Sequence, residues 1–281
     1  MLAMNPAEDF DLKGIFIPPQ PKLMIQIKEA GEDLKKFAEI ISTDPGIGAQ
    51  VLKTINSPAF ARPKVINSIH QAVMLLGRGY VINIINGLML KRAYDHVDTE
   101  ALESFWQGSK DVSLAMVLLA RQLNILAVDD AYLIGLFHNC GIPLMLQKFP
   151  NYMEVCHQSY GEGIENIAEL ESAELKTNHC IVGYYVAKAW QLNKDVAEII
   201  RDHHHLTSTE DKSAYFKGND QDDLVCLLKM AEHICKLYHS LGKHETDYEW
   251  ERIRETVLDH VGLSEPDFID LQELTREQLG L

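Results

Sequence analysis

The stretch Leu224-Val225-Cys226-Leu227-Leu228-Lys229-Met230-Ala231-Glu232-His233-Ile234-Cys235-Lys236-Leu237 decides the fold class. Leu224, Leu227, Leu228, Ala231, Ile234 and Leu237 recur at helical spacing and predict one long helix with a continuous apolar stripe. The same period recurs outward in both directions. Val196, Ile199 and Ile200 lead into the histidine run at 203–205. Ile181, Tyr184, Tyr185, Ala187 and Trp190 predict a helix that stops before Asn193, and Leu114, Val117, Leu118, Arg121 and Leu123 fit a longer one beginning near Glu100. Asp44-Pro45 is a cap followed by a first-turn proline, ahead of Ile47, Val51, Leu52 and Ile55. Ser68 starts a helix with Ile69, Val73 and Leu76 on its stripe, and Gly77 ends it. Alternating strand patterns bounded by turn dipeptides are absent. The expectation is an all-α protein of a dozen helices or more.

The punctuation divides the chain. Ile17-Pro18-Pro19-Gln20-Pro21 reads as an extended segment. Ser57-Pro58 and Arg62-Pro63 break the chain between two helices, and Gly77-Arg78-Gly79-Tyr80 reads as a helix junction. The polar stretch Tyr94–Glu100 is the expected seam between two helical lobes. This gives an N-terminal segment 1–14, a domain 15–245 split into lobes 15–97 and 98–245, and an extension 246–281. From Glu245 to Leu281 there are 11 acidic and 3 basic residues, a net of −8. Trp250, Ile253, Val257, Leu258 and Val261 fit an amphipathic helix there. Ser264, Pro266 and Asp267 form a capped start for a last helix with the stripe Phe268, Leu271 and Leu274. The expectation is a helical hairpin with an acidic outer face. The alternative is an acidic docking surface for a basic partner, which would be salt-sensitive.

Composition narrows the function. With 26 Lys plus Arg against 41 Asp plus Glu, the net charge of −15 disfavours nucleic acid and anionic lipid as partners. No run of about 18 apolar residues exists, so no membrane span is expected. Met1–Phe10 has no basic, apolar leader pattern, which makes a cytoplasmic protein the expectation. The five cysteines (Cys140, Cys156, Cys180, Cys226, Cys235) have no Cys-x-x-Cys pair and read as reduced buried thiols. Cys180 adjoins His179, the one feature that makes it a metal-ligand candidate. There is no phosphate-binding glycine loop and no Gly-x-Ser-x-Gly elbow.

Twelve histidines are many for this length. His70 and His157 read as fillers of core or surface. His138-Asn139, His179, His203-His204-His205 and Glu232 each fall on or at the end of a predicted helix. That is the order a helical bundle needs to bring side chains from several helices to one interior point. His205 is the expected exposed member of its run, and the helix end before it offers a dipole that favours a positive imidazole.

Taken in order, these pieces resemble the HDOD domain, a degenerate relative of the HD metal-dependent phosphohydrolases. The resemblance runs over roughly residues 15 to 240. It is carried by Ile17–Pro21, Asp44-Pro45-Gly46-Ile47 with Val51-Leu52, Ile55-Asn56-Ser57, Ser68–Val73 and Leu75-Leu76-Gly77. It continues through Phe105-Trp106 with Ser109, Gly135–Gly141, His179 with Val182-Gly183, Trp190 with Leu192, Ile200–His204 and Ala231-Glu232. The resemblance implies an all-α, two-lobed helical bundle whose HD-like C-terminal lobe carries a degraded form of the metal site that HD enzymes use for phosphate-ester hydrolysis. By that resemblance the metal residues are His138, His179, His203, His204 and Glu232. Gly108 and Asn139 stand where the HD enzyme pattern has a histidine and an aspartate, and Glu232 replaces its closing aspartate. An amide is neutral and bridges cations poorly, and glycine cannot ligate. A two-metal clamp is therefore not expected. Leu206–Glu210 replaces the Gly-Tyr-Pro signature of the phosphodiesterase branch.

These observations lead to an expected signalling or regulatory output module that binds a partner protein or small ligand. No catalytic residue or cofactor is expected beyond a single divalent transition metal at the residual site, and a homodimer is compatible with the sequence. The competing expectation is a residual metal-dependent phosphohydrolase acting on a nucleotide or phosphate ester.

Overall fold

A computed structural model describes residues 12–60, 65–94, 100–206, 216 and 220–281. Among them every regular element is helical, as the periodicity predicts. The N-terminal half runs α1 (Lys22–Glu29), α2 (Leu34–Ser42), α3 (Pro45–Ile55), a 3-10 turn (Pro58–Phe60), α4 (Ile69–Leu76) and α5 (Arg78–Ala93). Then follow α6 (Glu100–Gln122), α7 (Val128–Phe137), α8 (Ile142–Lys148), α9 (Tyr152–Ser159), α10 (Ile167–Leu175), α11 (His179–Ala189) and α12 (Lys194–Asp202). The chain ends with α13 (Asp220–Ile234), α14 (Leu237–Ser240), α15 (Tyr248–Val261) and α16 (Glu265–Leu279). The proposed breaks at Arg62-Pro63 and most of the seam at Tyr94–Glu100 lie outside the described residues.

Local chemistry starts most of these helices. Asp44 accepts from Ile47 N, with Pro45 filling the first turn, and Ser68 accepts from Gln71 N. Asn178 accepts from Ile181 N at 2.8 Å and fixes the start of α11, one residue before His179. Ser264 and Asp267 form the reciprocal capping box of α16. Asn56 clasps the returning chain: its Nδ2 donates to Ile66 O at 2.8 Å, and its Oδ1 accepts from Ile66 N at 2.9 Å.

α6 is the central strut. Val112 through Ala120 are all buried, because α7, α13, α14 and α16 pack around it. One continuous apolar core extends from Met24 to Leu271. The extended N-terminal segment is strapped to α11: Trp190 Nε1 donates to Pro18 O at 2.8 Å, and Gln20 Nε2 donates to Trp190 O at 2.7 Å.

Two expectations are corrected. The stripe of 224–237 is not one helix. Lys236 adopts a left-handed conformation (φ 54°), α13 ends at Ile234, and Leu237 opens a separate turn. In α16 the buried face is Phe268, Leu271 and Thr275, and Leu274 is exposed. The step from Leu271 takes four residues instead of three, which keeps Thr275 on the buried face.

Candidate metal centre

Four helix ends and two helix faces meet beneath α15. His138 caps the C-terminus of α7, with Asn139 next to it in the turn before α8. His179 and Cys180 open α11, and His203 caps α12 with His204 beside it. Lys229 and Glu232, three apart, share one face of α13. Glu171 comes from α10, and Glu249 from the first turn of α15. The turn can pack this close to α11 because residue 141 is glycine: a Cβ there would lie 2.0 Å from His179 O.

All the residues predicted for the site are buried: His138, Asn139, His179, His203, His204 and Glu232. The imidazoles form a tight group, with ring centroids 4.2 Å apart for His203 and His204, 5.2 Å for His179 and His204, and 5.4 Å for His138 and His203. His205 is exposed, as expected, and so is His70, while His157 is half-buried.

The same hydrogen-bond logic holds each ring. His138 Nδ1 faces Gly135 O at 2.8 Å, and His203 Nδ1 faces Ile200 O at 2.8 Å. His179 Nδ1 faces Glu171 Oε2 at 2.8 Å, and His204 Nδ1 faces Glu249 Oε1 at 2.7 Å. Carbonyls and carboxylates only accept, so for His138, His179 and His203 these partners assign the hydrogen to Nδ1 and leave Nε2 facing the interior, whereas His204 Nδ1 also has the Lys229 ammonium 3.2 Å away. Nε2 of His138 and of His204 has no hydrogen-bond partner among the described residues, and neither has Asn139 Oδ1. A histidine whose Nδ1–H is tied to a carboxylate or carbonyl while Nε2 points inward is the arrangement found around bound metals.

Buried charge is organised around Glu171 and Lys229. Glu171 is fully buried. It accepts from Tyr152 Oη at 2.9 Å, from the His179 backbone N–H at 2.9 Å and from His179 Nδ1. Lys229 Nζ lies 2.8 Å from Glu232 Oε2 and 3.2 Å from both oxygens of Glu249. Burial opposes its charge, but Glu232 and Glu249 outweigh burial and hold the ammonium above its ordinary range. Burial pushes the Glu232 carboxyl up to about 7, against the pull of Lys229. Glu232 Oε1 stands 3.3 Å from His138 Nε2, without hydrogen-bond geometry.

Burial drives the His138 imidazole down to about 3, and Lys229 adds to the effect. His203 and His204 are also held well below their ordinary value, by burial first and then by neighbouring cationic groups. This corrects the expectation of a positive imidazole at the end of α12. A helix dipole is worth about 0.3–1 kcal/mol at an exposed end, too little against full burial beside Lys229. His179 is different. Burial opposes its charging, but Cys180 and then Glu171 raise it, while burial pushes the Cys180 thiol up. Cys180 Sγ and His179 Nε2 lie 3.4 Å apart.

The structure brings the predicted residues together but divides them. His179, Cys180, His203 and His204 each offer a donor atom, and these atoms all lie within 4.8 Å of one another. His138 and Glu232 stand outside that group, and Glu232 is engaged by Lys229. One of the two lost ligand positions, Gly108, is accounted for physically. A Cβ on Gly108 would lie 3.1 Å from Leu237 Cδ1, so an apolar side chain occupies the space above it. Sequence reasoning did not pick out Lys229, Glu171 or Glu249. A lysine three residues before Glu232 on the buried stripe is a usable signal for the first, whereas Glu171 and Glu249 meet the site only through tertiary packing.

The HDOD domain profile matches residues 17–206, and the chain belongs to this family. It is similar to a crystal structure from Shewanella amazonensis SB2B provisionally named a phosphohydrolase (TM-score 0.65, 21% identity), covering 94% of this chain and 92% of that one. An HDOD domain protein of unknown function from Geobacter sulfurreducens superposes with a TM-score of 0.58 at 19% identity, over 96% and 94% of the two chains. A Marinobacter aquaeolei structure provisionally named a signal transduction protein gives 0.62 at 22% identity, over 94% of this chain and 57% of that one. An uncharacterised protein of Treponema pallidum is 25% identical over 194 residues, which is 68% of this chain and 38% of that relative's length. These structural likenesses establish the shared fold. No helix among the described residues is long and apolar enough to cross a membrane.

Proposed function

We propose that this HDOD protein is a non-hydrolytic regulatory module, acting by binding a partner protein or small ligand, in which the former hydrolase centre has become a closed structural core. One observation carries the reading: the carboxylates Glu232 and Glu249 are neutralised by the protein's own cation, Lys229, buried between them. Two-metal hydrolysis needs carboxylates free to bridge ions and an open position for water. Here Asn139 offers only an amide, and Leu237 fills the space over Gly108. The cavity beside Lys229 and Glu232 holds about 10 Å³, room for one water and far below a phosphate ester. Its walls include Glu249, Trp250 and Ile253, so the acidic extension forms part of its lining. The signalling name of the Marinobacter neighbour is consistent with this reading.

The alternative reading, a single-metal phosphohydrolase, draws on the unpartnered Nε2 atoms of His138 and His204. A divalent ion would be held by the inward-facing histidines and would supply positive charge to the centre. Full-length protein loaded in turn with manganese, iron, nickel and zinc decides between the two. It is assayed on phosphate mono- and diesters, nucleotides and cyclic dinucleotides. The regulatory reading expects release no faster than that of His138→Ala. Turnover in the wild type that is lost in His138→Ala establishes the hydrolase instead.

A further inference from the structure

We propose that Cys180 Sγ is a metal ligand, completing with His179, His203 and His204 a closed three-nitrogen, one-sulfur shell for a single borderline-soft divalent ion of the zinc class. This deepens the reading above and rests on it in one respect: a shell filled by four protein ligands leaves no position for a reacting water.

Geometry carries the assignment. In a tetrahedral zinc site, bonds of about 2.0 Å to nitrogen and 2.3 Å to sulfur place neighbouring donors roughly 3.3–3.8 Å apart. Cys180 Sγ is 3.4 Å from His179 Nε2 and 4.0 Å from His203 Nε2. One donor atom from each of His179, Cys180, His203 and His204 (either ring nitrogen of a histidine) lies within 4.8 Å of the other three, so side-chain shifts of roughly one ångström close the shell. His204 supplies an independent indication. It is buried, Glu249 Oε1 and Lys229 Nζ face its Nδ1 at 2.7 and 3.2 Å, and its buried Nε2 has no partner among the described residues. The outer contacts are also in place. Glu171 orients His179, Ile200 O orients His203 and Glu249 orients His204, as outer-shell acceptors orient metal-bound imidazoles.

The carboxylates around the shell are already placed: buried Glu171 holds His179, while buried Glu232 and half-buried Glu249 hold Lys229. Binding would release the Cys180 thiol proton to solvent and form a sulfur–metal bond, with no change of oxidation state. A thiolate also selects among ions: it favours zinc or cobalt over magnesium or manganese, which prefer oxygen.

The test uses full-length protein, stripped by chelator under reducing conditions and titrated with cobalt(II). The expected result is one cobalt per chain, with intense visible bands of tetrahedral cobalt and a near-ultraviolet sulfur-to-cobalt charge-transfer band, all bleached by zinc. Cys180→Ser should lose the charge-transfer band, and Cys180→Ala, which removes the donor without adding polarity, should lose it too. No retained cobalt, cobalt bound without the sulfur band, or a band that persists in either variant overturns the proposal. The wild-type spectrum alone decides if both variants fail to fold. Phosphate-ester turnover by cobalt-loaded protein would overturn the regulatory reading while leaving the sulfur ligation standing, so the two failures are distinguishable.

Discussion

Lys229→Met removes the cation of the centre and keeps its volume. The structure sets the size of the effect. The ammonium lies 2.8 Å from Glu232 and 3.2 Å from both oxygens of Glu249, all within the buried centre. Taking away one partner of a buried charge pair leaves its carboxylates uncompensated, and this costs about 3–5 kcal/mol. Methionine adds no cavity, so the loss is electrostatic. At about 2–4 °C per kcal/mol for a chain of this size, the melting temperature should fall by about 10 °C at pH 8. The dependence on pH follows from Glu232, already raised to about 7 by burial and held down by Lys229. Without Lys229 it rises further. A carboxyl with a raised folded-state pKa binds protons more readily folded than unfolded, so falling pH favours the folded variant. The deficit should therefore be largest above pH 8 and should shrink towards pH 6. Lys229→Met/Glu232→Gln should recover part of the loss. Urea melts of the three proteins from pH 6 to 8.5 measure this. A deficit below about 1 kcal/mol at pH 8, or one that grows on acidification, refutes the reasoning.

Other outcomes follow from the same geometry. Burial holds His138, His203 and His204 neutral in the fold, well below the ordinary 6.5 of the unfolded chain. The unfolded chain takes up protons first, so stability should fall as pH drops below 6.5, each ring contributing up to about 1.4 kcal/mol per pH unit; His138→Gln should flatten the slope measured by urea melts between pH 7 and 5. Gly141→Ala should cost about 3 kcal/mol or more, since its methyl would overlap His179 O at 2.0 Å; a melting curve like the wild type's would show that α8 and α11 have room to part. Gly108→His puts in the histidine expected of an HD hydrolase but meets Leu237, so it should lose about 1–3 kcal/mol and gain no phosphatase activity; turnover in this variant would show that the centre remains an enzyme in waiting.

The helices were legible because their starts are local. Asp44, Ser68, Ser264 and the apolar stripes carry their own instructions within a few residues. The histidine cluster was legible because each member sits at a helix end whose order in the chain resembles a known family. What the sequence hid is tertiary. Glu171 lies eight residues before His179, with nothing in its helix to say that its carboxylate turns back onto that ring. Glu249 lies in a segment that reads as a solvated acidic face, yet it supplies the acceptor for His204 and a counter-charge for Lys229. Lys236 shows how one left-handed residue divides a stripe that periodicity alone joins. The fold then uses that break to place Leu237 over Gly108.

The central claim is that this centre has a protein cation where a hydrolase would need free carboxylates, and room for at most one ion. Crystals of zinc-loaded protein, with anomalous difference maps recorded on both sides of the zinc edge, test it most directly. The account predicts one peak enclosed by His179, Cys180, His203 and His204, with Lys229 still seated between Glu232 and Glu249. Two peaks bridged through His138 and Glu232, with Lys229 displaced from the centre, would contradict it.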